Sequence, residues 1–334
     1  MCKCAPEEII HCNRAGLRTF PGEIAASTNS LNLSNNYLRI LTTNTFRNLT
    51  FLHSLWLDGN NLTFLSPGTF HTLSKLRELH LTFRNLSSLT RLSLEGNHIE
   101  AIGRDSLKDL ETLYDLNLRK NRIWIIQNGA FTKLLRLGVL NLGHNFIADL
   151  PNQLFDGLIQ LKTMHLEANR ITAVDCTFRR LLNLRNLYLN NNQISSISNS
   201  AFLNLNKLHF LHLSKNNLSS LPIHLFAELP KLKYVFLYHN PWKCDCKMLW
   251  FWQRIATHRG VIEGLHCAFR GPHNTTTLDT PRPGDLTDCT VPPVLANEDK
   301  CGVADTSAAP RPAALPSKVI LLALVCHTWY FARG

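Results

Sequence analysis

Ten cysteines and fifteen histidines are the residues of this chain best suited to chemistry, and their arrangement points to structure, not catalysis. The cysteines gather at the ends: Cys2, Cys4 and Cys12, then Cys244, Cys246, Cys267, Cys289 and Cys301, with Cys176 and Cys326 standing alone. Clusters at both ends of a nearly cysteine-free interior predict disulfide-locked caps made in an oxidising compartment. Six N-x-S/T sequons, at Asn32, Asn48, Asn61, Asn85, Asn217 and Asn274, point to the same compartment. A C-x-C pair such as Cys244 and Cys246 also suits zinc, but the spacing and the oxidising setting disfavour it, and the histidines lack metal-ligand spacing. No G-x-S-x-G, H-E-x-x-H, phosphate-cradling glycine loop or G-x-G-x-x-G occurs. The reading expects no enzyme, no cofactor and no metal.

The elements that would position these residues follow from one asparagine. Asn36, Asn60, Asn97, Asn121, Asn145, Asn169, Asn192, Asn216 and Asn240 each close a segment L-x-L-x-x-N, most of them 24 residues apart. That period and motif identify the leucine-rich repeat. The predicted fold is an α/β repeat: a curved solenoid with a parallel concave β-sheet and disulfide-bonded terminal caps. Arms between strands carry Phe at a fixed offset (Phe46, Phe70, Phe131, Phe226), read as a core spine.

Residues 1–25 form a cysteine-rich N-terminal cap, taken as incomplete because Met1-Cys2-Lys3-Cys4 follows no apolar leader. Repeats run over 26–240 as about ten strand units. One is shortened at 79–91, because Asn60 and Asn97 are 37 residues apart. Leu79-x-Leu81 reads as a normal strand start that has lost its following residues, or as a kink. Residues 241–289 form a C-terminal cap, 290–318 a Pro- and Ala-rich stalk, and 319–334 a short apolar tail. Thirteen apolar residues, 319–331, fall short of a spanning helix. A GPI-attachment signal, a truncated span and a chance tail compete.

The string Asn240-Pro241-Trp242-Lys243-Cys244-Asp245-Cys246, followed by Cys267 and Cys289, resembles the C-terminal flanking cap of extracellular leucine-rich repeat proteins. The resemblance implies disulfides Cys244–Cys267 and Cys246–Cys289. The first cysteines resemble the last three of the matching N-terminal motif, implying Cys2–Cys12 and leaving Cys4 without its partner. The whole is similar to the GPI-anchored Nogo receptor family. That likeness implies protein recognition on the concave face, no catalysis, and a co-receptor for any signal.

The strand alternation predicts which residues face outward. The central outward column reads Asn32, Trp56, His80, Ser93, Asn117, Asn141, His165, Tyr188, His212, Phe236. Tyr188, Phe210, His212, Tyr234, Phe236 and Tyr238 converge near the C-terminal cap as the candidate protein-binding patch, unless the cap folds back over them. The formal net charge of +11 admits an acidic glycan partner, but no dense basic run occurs. Nucleic acid is not expected, and membrane contact is expected through a C-terminal anchor alone. The alternatives to a cell-surface receptor or adhesion protein are a secreted matrix or glycan-binding protein and, distantly, a non-catalytic enzyme subunit.

Overall fold

Three-residue strands cannot stand alone, because so few hydrogen bonds and side chains do not offset the cost of ordering the backbone. The computed structural model stacks them, and it describes residues 2–5, 9–22, 24–63, 65, 69–74, 89–222, 225, 229–243, 260–265, 267–269 and 276–278. One sheet of twelve strands runs along the unit Met1–Lys300. It opens with an antiparallel hairpin, Lys3–Ala5 with Ile9–His11, and every later pairing is parallel. Nine repeat strands, from Ser30–Asn32 to Tyr234–Phe236, lie between His11 and a last strand, Val261–Glu263. Their central residues, from Leu31 to Val235, are buried, whereas most flanking residues stay partly exposed. This is the alternation of a sheet with one face on the core.

Among the described residues the returning arms are turns with one 3-10 segment at His71–Ser74, two short parallel pairs (Ala101–Ile102 with Ile125–Ile126, Ala173–Val174 with Ser196–Ile197) and no α-helix. The phenylalanines do stack coil on coil. Phe46 lies 6.0 Å from Phe70, and Phe131, Phe155, Phe178 and Phe202 follow at 5.9–6.4 Å. Leu107 occupies the same position between Phe70 and Phe131 and interrupts the column.

The asparagines tie the coils together. Asn145 Oδ1 accepts the Ile123 N–H at 3.0 Å, and its Nδ2 donates to Leu118 O at 3.1 Å and Leu142 O at 3.0 Å. Every repeat asparagine makes the equivalent bonds, so each bridges its own coil and the one before. The backbone must turn sharply to aim that side chain inward. The preceding residues, Asn35, Gly59, Gly96, Lys120, His144, Ala168, Asn191, Lys215 and His239, all have φ between 53° and 66°.

The irregular interval departs from expectation. Ser54–Trp56 pairs directly with Arg91–Ser93, in the same one-to-one register as every other neighbour. Among the described residues nine repeat strands join the sheet, with Trp56 directly beside Ser93; His80 lies outside the described residues. The reason is chemical. Three residues after Leu81 comes Arg84, whereas three after Leu94 comes Asn97. Asn97 Oδ1 accepts the Leu62 N–H at 3.1 Å and Nδ2 donates to Leu57 O at 3.0 Å, spanning the whole interval. The segment that carries the asparagine joins the sheet.

At the N-terminal end Cys2 and Cys12 form a disulfide, with S–S 2.05 Å. Cys176, isolated in the sequence, is also disulfide-bonded. Trp242 closes the other end of the core, 4% exposed, its indole N–H donating to Leu237 O at 3.1 Å. Cys244, Cys246, Cys289, Asn85, Asn274, the stalk and the tail lie outside the described residues, as does the Cys267 side chain. Among the described residues no helix is long and apolar enough to cross a membrane.

Two outcomes follow. Asn145→Ala should destabilise the fold by on the order of 3 kcal/mol in urea unfolding, because it leaves a buried N–H and two carbonyls under-satisfied; a loss below about 0.5 kcal/mol would remove the ladder's importance. Deleting residues 75–87 leaves Leu73-Ser74-Ser88-Leu89, matching Leu49-Thr50-Phe51-Leu52, and restores the 24-residue interval. The shorter loop gains roughly 0.4 kcal/mol of closure entropy. The deleted chain should melt cooperatively at or above the parent temperature, and loss of cooperative unfolding would show that the interval is needed.

Candidate functional site

Alternation along each strand points the residue between the two leucines outward, and the parallel register aligns these residues into columns. The structure pairs Asn117 with Asn141, Asn141 with His165, His165 with Tyr188, Tyr188 with His212 and His212 with Phe236. The predicted central column is therefore present without His80, and it extends to His11 at one end and Glu263 at the other.

Four of the six candidate residues form one ring cluster. Phe210 lies at its centre, 4.8 Å from Tyr188, 5.4 Å from Phe236 and 6.2 Å from His212. His212 meets Phe236 at 5.4 Å. His165 joins from the next coil, flat on Tyr188 at 4.3 Å and 6°. Its place beside Tyr188 in the column was readable from the sequence, but its stacking was not. Tyr234 and Tyr238 make no ring contact with this cluster among the described residues. Tyr234, 40% exposed, sits under the Lys233 ammonium at 6.0 Å. The Tyr238 hydroxyl donates to Glu263 Oε2 at 2.7 Å, drawing that ring toward the last strand. Gly264, with φ +86°, passes so close to Tyr238 that a Cβ would lie 2.4 Å from its ring.

The strand Val261–Glu263 extends the sheet beside Tyr234–Phe236, in its plane and not across its face. Phe210, His212 and Phe236 remain partly exposed.

Nearer the N-terminus the same face is polar and satisfied by its own neighbours. Asp58 accepts the hydroxyls of Ser34, at 3.1 Å, and Ser93. Glu95 receives Asn117 and Arg119 at 3.0 Å and pairs with Lys120 at 3.3 Å. Burial raises the Glu95 pKa, but these three donors outweigh it and hold the carboxyl below its usual range. Between the halves, Glu167 accepts from His165 Nδ1 at 3.2 Å. There too burial pushes the carboxyl up, and the His165 hydrogen bond with its own backbone N–H and the nearby histidines bring it below normal. Burial lowers the His212 imidazolium pKa, against the opposing pull of Glu167. Burial and the Glu167 charge both raise the Tyr188 phenol. Beside the rings, Asn190 Oδ1 and Ser214 Oγ are buried without a hydrogen-bond partner among the described residues.

Among the described residues no group of three His, Cys, Asp or Glu side chains could hold a metal. Asn48 and Asn217 are exposed sequons, and Asn32 and Asn61 are half-buried. Asn32 Oδ1 accepts the Ser34 N–H at 3.0 Å on the outward face, opposite Trp56.

Residues 26–86, 111–171 and 182–241, more than half of the chain, match the Leucine rich repeat family. The chain belongs to that family. A human relative, matrix-remodeling-associated protein 5, is 39% identical over 44 residues, 13% of this chain and 2% of that protein. In the TLR13–ssRNA13 complex the receptor superposes with a TM-score of 0.57 at 28% identity, over 64% of this chain and 28% of its own. A leucine-rich repeat protein of Leptospira interrogans gives 0.54 at 27% identity, over 65% and 51% of the two chains. A chain of the octameric complex of Latrophilin 3, Unc5D and FLRT2 gives 0.52 at 22% identity, over 86% and 99%. This chain thus spans a small part of the human relative and of TLR13, and the last likeness concerns the fold alone.

His212 sets a pH dependence. Its folded pKa lies below the ordinary value of about 6.5, so the unfolded chain binds more protons just below that pH. Stability therefore falls as pH drops through this window. His212→Gln should flatten the change in urea midpoint between about pH 7.5 and 5.5; an unchanged slope would place the titration elsewhere.

Proposed function

We propose that this chain is a non-catalytic extracellular binding protein, of cell-surface receptor or adhesion type, that seats a protein ligand on the sheet face around Tyr188, Phe210, His212 and Phe236. One observation carries the reading. Rings from consecutive strands form a continuous, partly exposed cluster on a face where Asp58 and Glu95 are engaged by their own neighbours. Covering those rings removes apolar area from water, and central aromatic anchors supply a large share of interface energy. Tyr234 widens the patch at its edge, and Tyr238, tied to Glu263, borders it.

Retention at the cell surface through the tail 319–334 belongs to the same proposal, with any signal passed through a co-receptor. Phosphatidylinositol-specific phospholipase should then release the full chain from expressing cells; release without the enzyme would favour the secreted matrix alternative. The RNA of the TLR13 complex is that protein's ligand. Nucleic acid is not among the partners proposed here.

The full chain, displayed against a panel of cell-surface ectodomains, should select a protein partner whose affinity drops by about 1–3 kcal/mol with Tyr188→Ala or Phe236→Ala. Lys133→Ala, on an exposed arm, should change little. Thermal melts of the same variants decide between the two roles of the rings. Lost stability with unchanged affinity in the folded fraction would assign them to the fold and sink the binding site.

A further inference from the structure

Lysine and arginine are dispersed along the sequence, yet the coil brings residues one repeat apart into contact. Lys162, Arg185, His209 and Lys233 each stand one place before a strand of the sheet. Their backbones form a single hydrogen-bonded column: Arg185 N–H donates to Lys162 O at 2.8 Å, His209 N–H to Arg185 O at 2.8 Å, and Lys233 N–H to His209 O at 2.9 Å. Adjacent strands lie about 4.8 Å apart, so the column sets its side chains at a regular step over roughly 14 Å. Exposed Lys207 and Lys231, two places further from the strands' centres, thicken the same rim. The five-residue segments 135–139, 159–163, 182–186, 206–210 and 230–234 contain no Asp or Glu.

These cations share no ion pair with an acid among the described residues. Arg119 and Lys120 are neutralised by Glu95, and Arg180 by Asp156 at 2.8 Å. Among the described residues Lys162, Arg185, Lys207, Lys231 and Lys233 enter no ion pair. Lys162 instead lies over the Tyr114 ring at 5.6 Å and Lys233 over Tyr234 at 6.0 Å, contacts that favour an extended cation without cancelling its charge. Three uncompensated positive charges along one sheet rim, with His209 between the last two, fit a linear polyanion.

We propose that this rim binds a linear sulfated polysaccharide through Lys162, Arg185 and Lys233. A single-stranded nucleic acid would also want ring faces on which bases can stack. The rings nearest the rim, Tyr114 and Tyr234, lie under Lys162 and Lys233 themselves, and those beyond are packed on each other: Tyr188 lies flat against His165, and Phe210 is flanked by Tyr188, Phe236 and His212. A sulfated chain needs only the cations and their spacing. The site is separate from protein recognition by the adjacent rings and stands or falls without it.

The test uses the full chain and heparin at about 0.15 M salt, where screening acts over about 8 Å and diffuse attraction is weak. The triple variant K162E/R185E/K233E should lose at least tenfold in affinity. The triple K108E/R122E/K133E, an equal charge change at exposed positions off the rim, should lose less than about twofold. Equal losses from both would reduce the effect to overall charge and overturn the site. Unaltered binding to fully desulfated heparin would overturn the sulfate assignment. Polyuridylate RNA that displaces heparin at lower concentration than heparin displaces itself would reassign the rim to nucleic acid. If the reversal triple does not fold, K162Q/R185Q/K233Q is judged by the same loss of at least tenfold, and retained binding in that variant counts against the proposal.

Discussion

The structure hangs on the hydrogen bonds of one buried amide per coil. A side-chain amide has two donors and an acceptor, enough to serve its own coil and the preceding one at once. Asn60, Asn97 and Asn145 do so with nearly identical distances of 2.9–3.1 Å. Two consequences follow from that geometry. The residue before each amide must accept a left-handed backbone, which Ala168 and His144 adopt although a Cβ disfavours it. The amide also spans irregular intervals, since Asn97 ties its coil to that of Leu57 and Leu62 across 37 residues. Hydrophobic burial holds the coil together, but polar bonds decide which segment enters it.

Much of this was legible because the motif repeats. The buried leucines, the outward columns and the convergence of Tyr188, Phe210, His212 and Phe236 all follow from the strand period and the 24-residue spacing. The errors have physical causes. Scanning for runs of charge missed the rim at Lys162, Arg185 and Lys233, since a solenoid converts a distance of one repeat into a contact between neighbours. Ring orientation was also beyond reach. Nothing in the letters says that Tyr238 turns to Glu263 while Tyr188 turns to His165.

The face of the sheet divides into regions with different electrostatic economies. Around Asp58 and Glu95, acid and donor are matched within the chain, so a newcomer must break existing bonds to make its own. From His165 to Phe236 the rings offer area without any such exchange. The rim beside them offers charge without counter-charge. Affinity, orientation and salt dependence can therefore arise in adjacent places from different residues, and a substitution in one column leaves the backbone of the next unchanged.

The shortness of the strands has a consequence for how copies of this chain behave toward each other. Among the described residues the twelve-stranded sheet ends on two strands of three residues each, Lys3–Ala5 and Val261–Glu263. Unpaired edges are templates for edge-to-edge aggregation, and very short ones are poor templates. The disulfide between Cys2 and Cys12 further staples the first edge strand to its partner's end, so it cannot peel away to exchange with another molecule. The width of the sheet can grow by adding coils while the exposed template stays the same size.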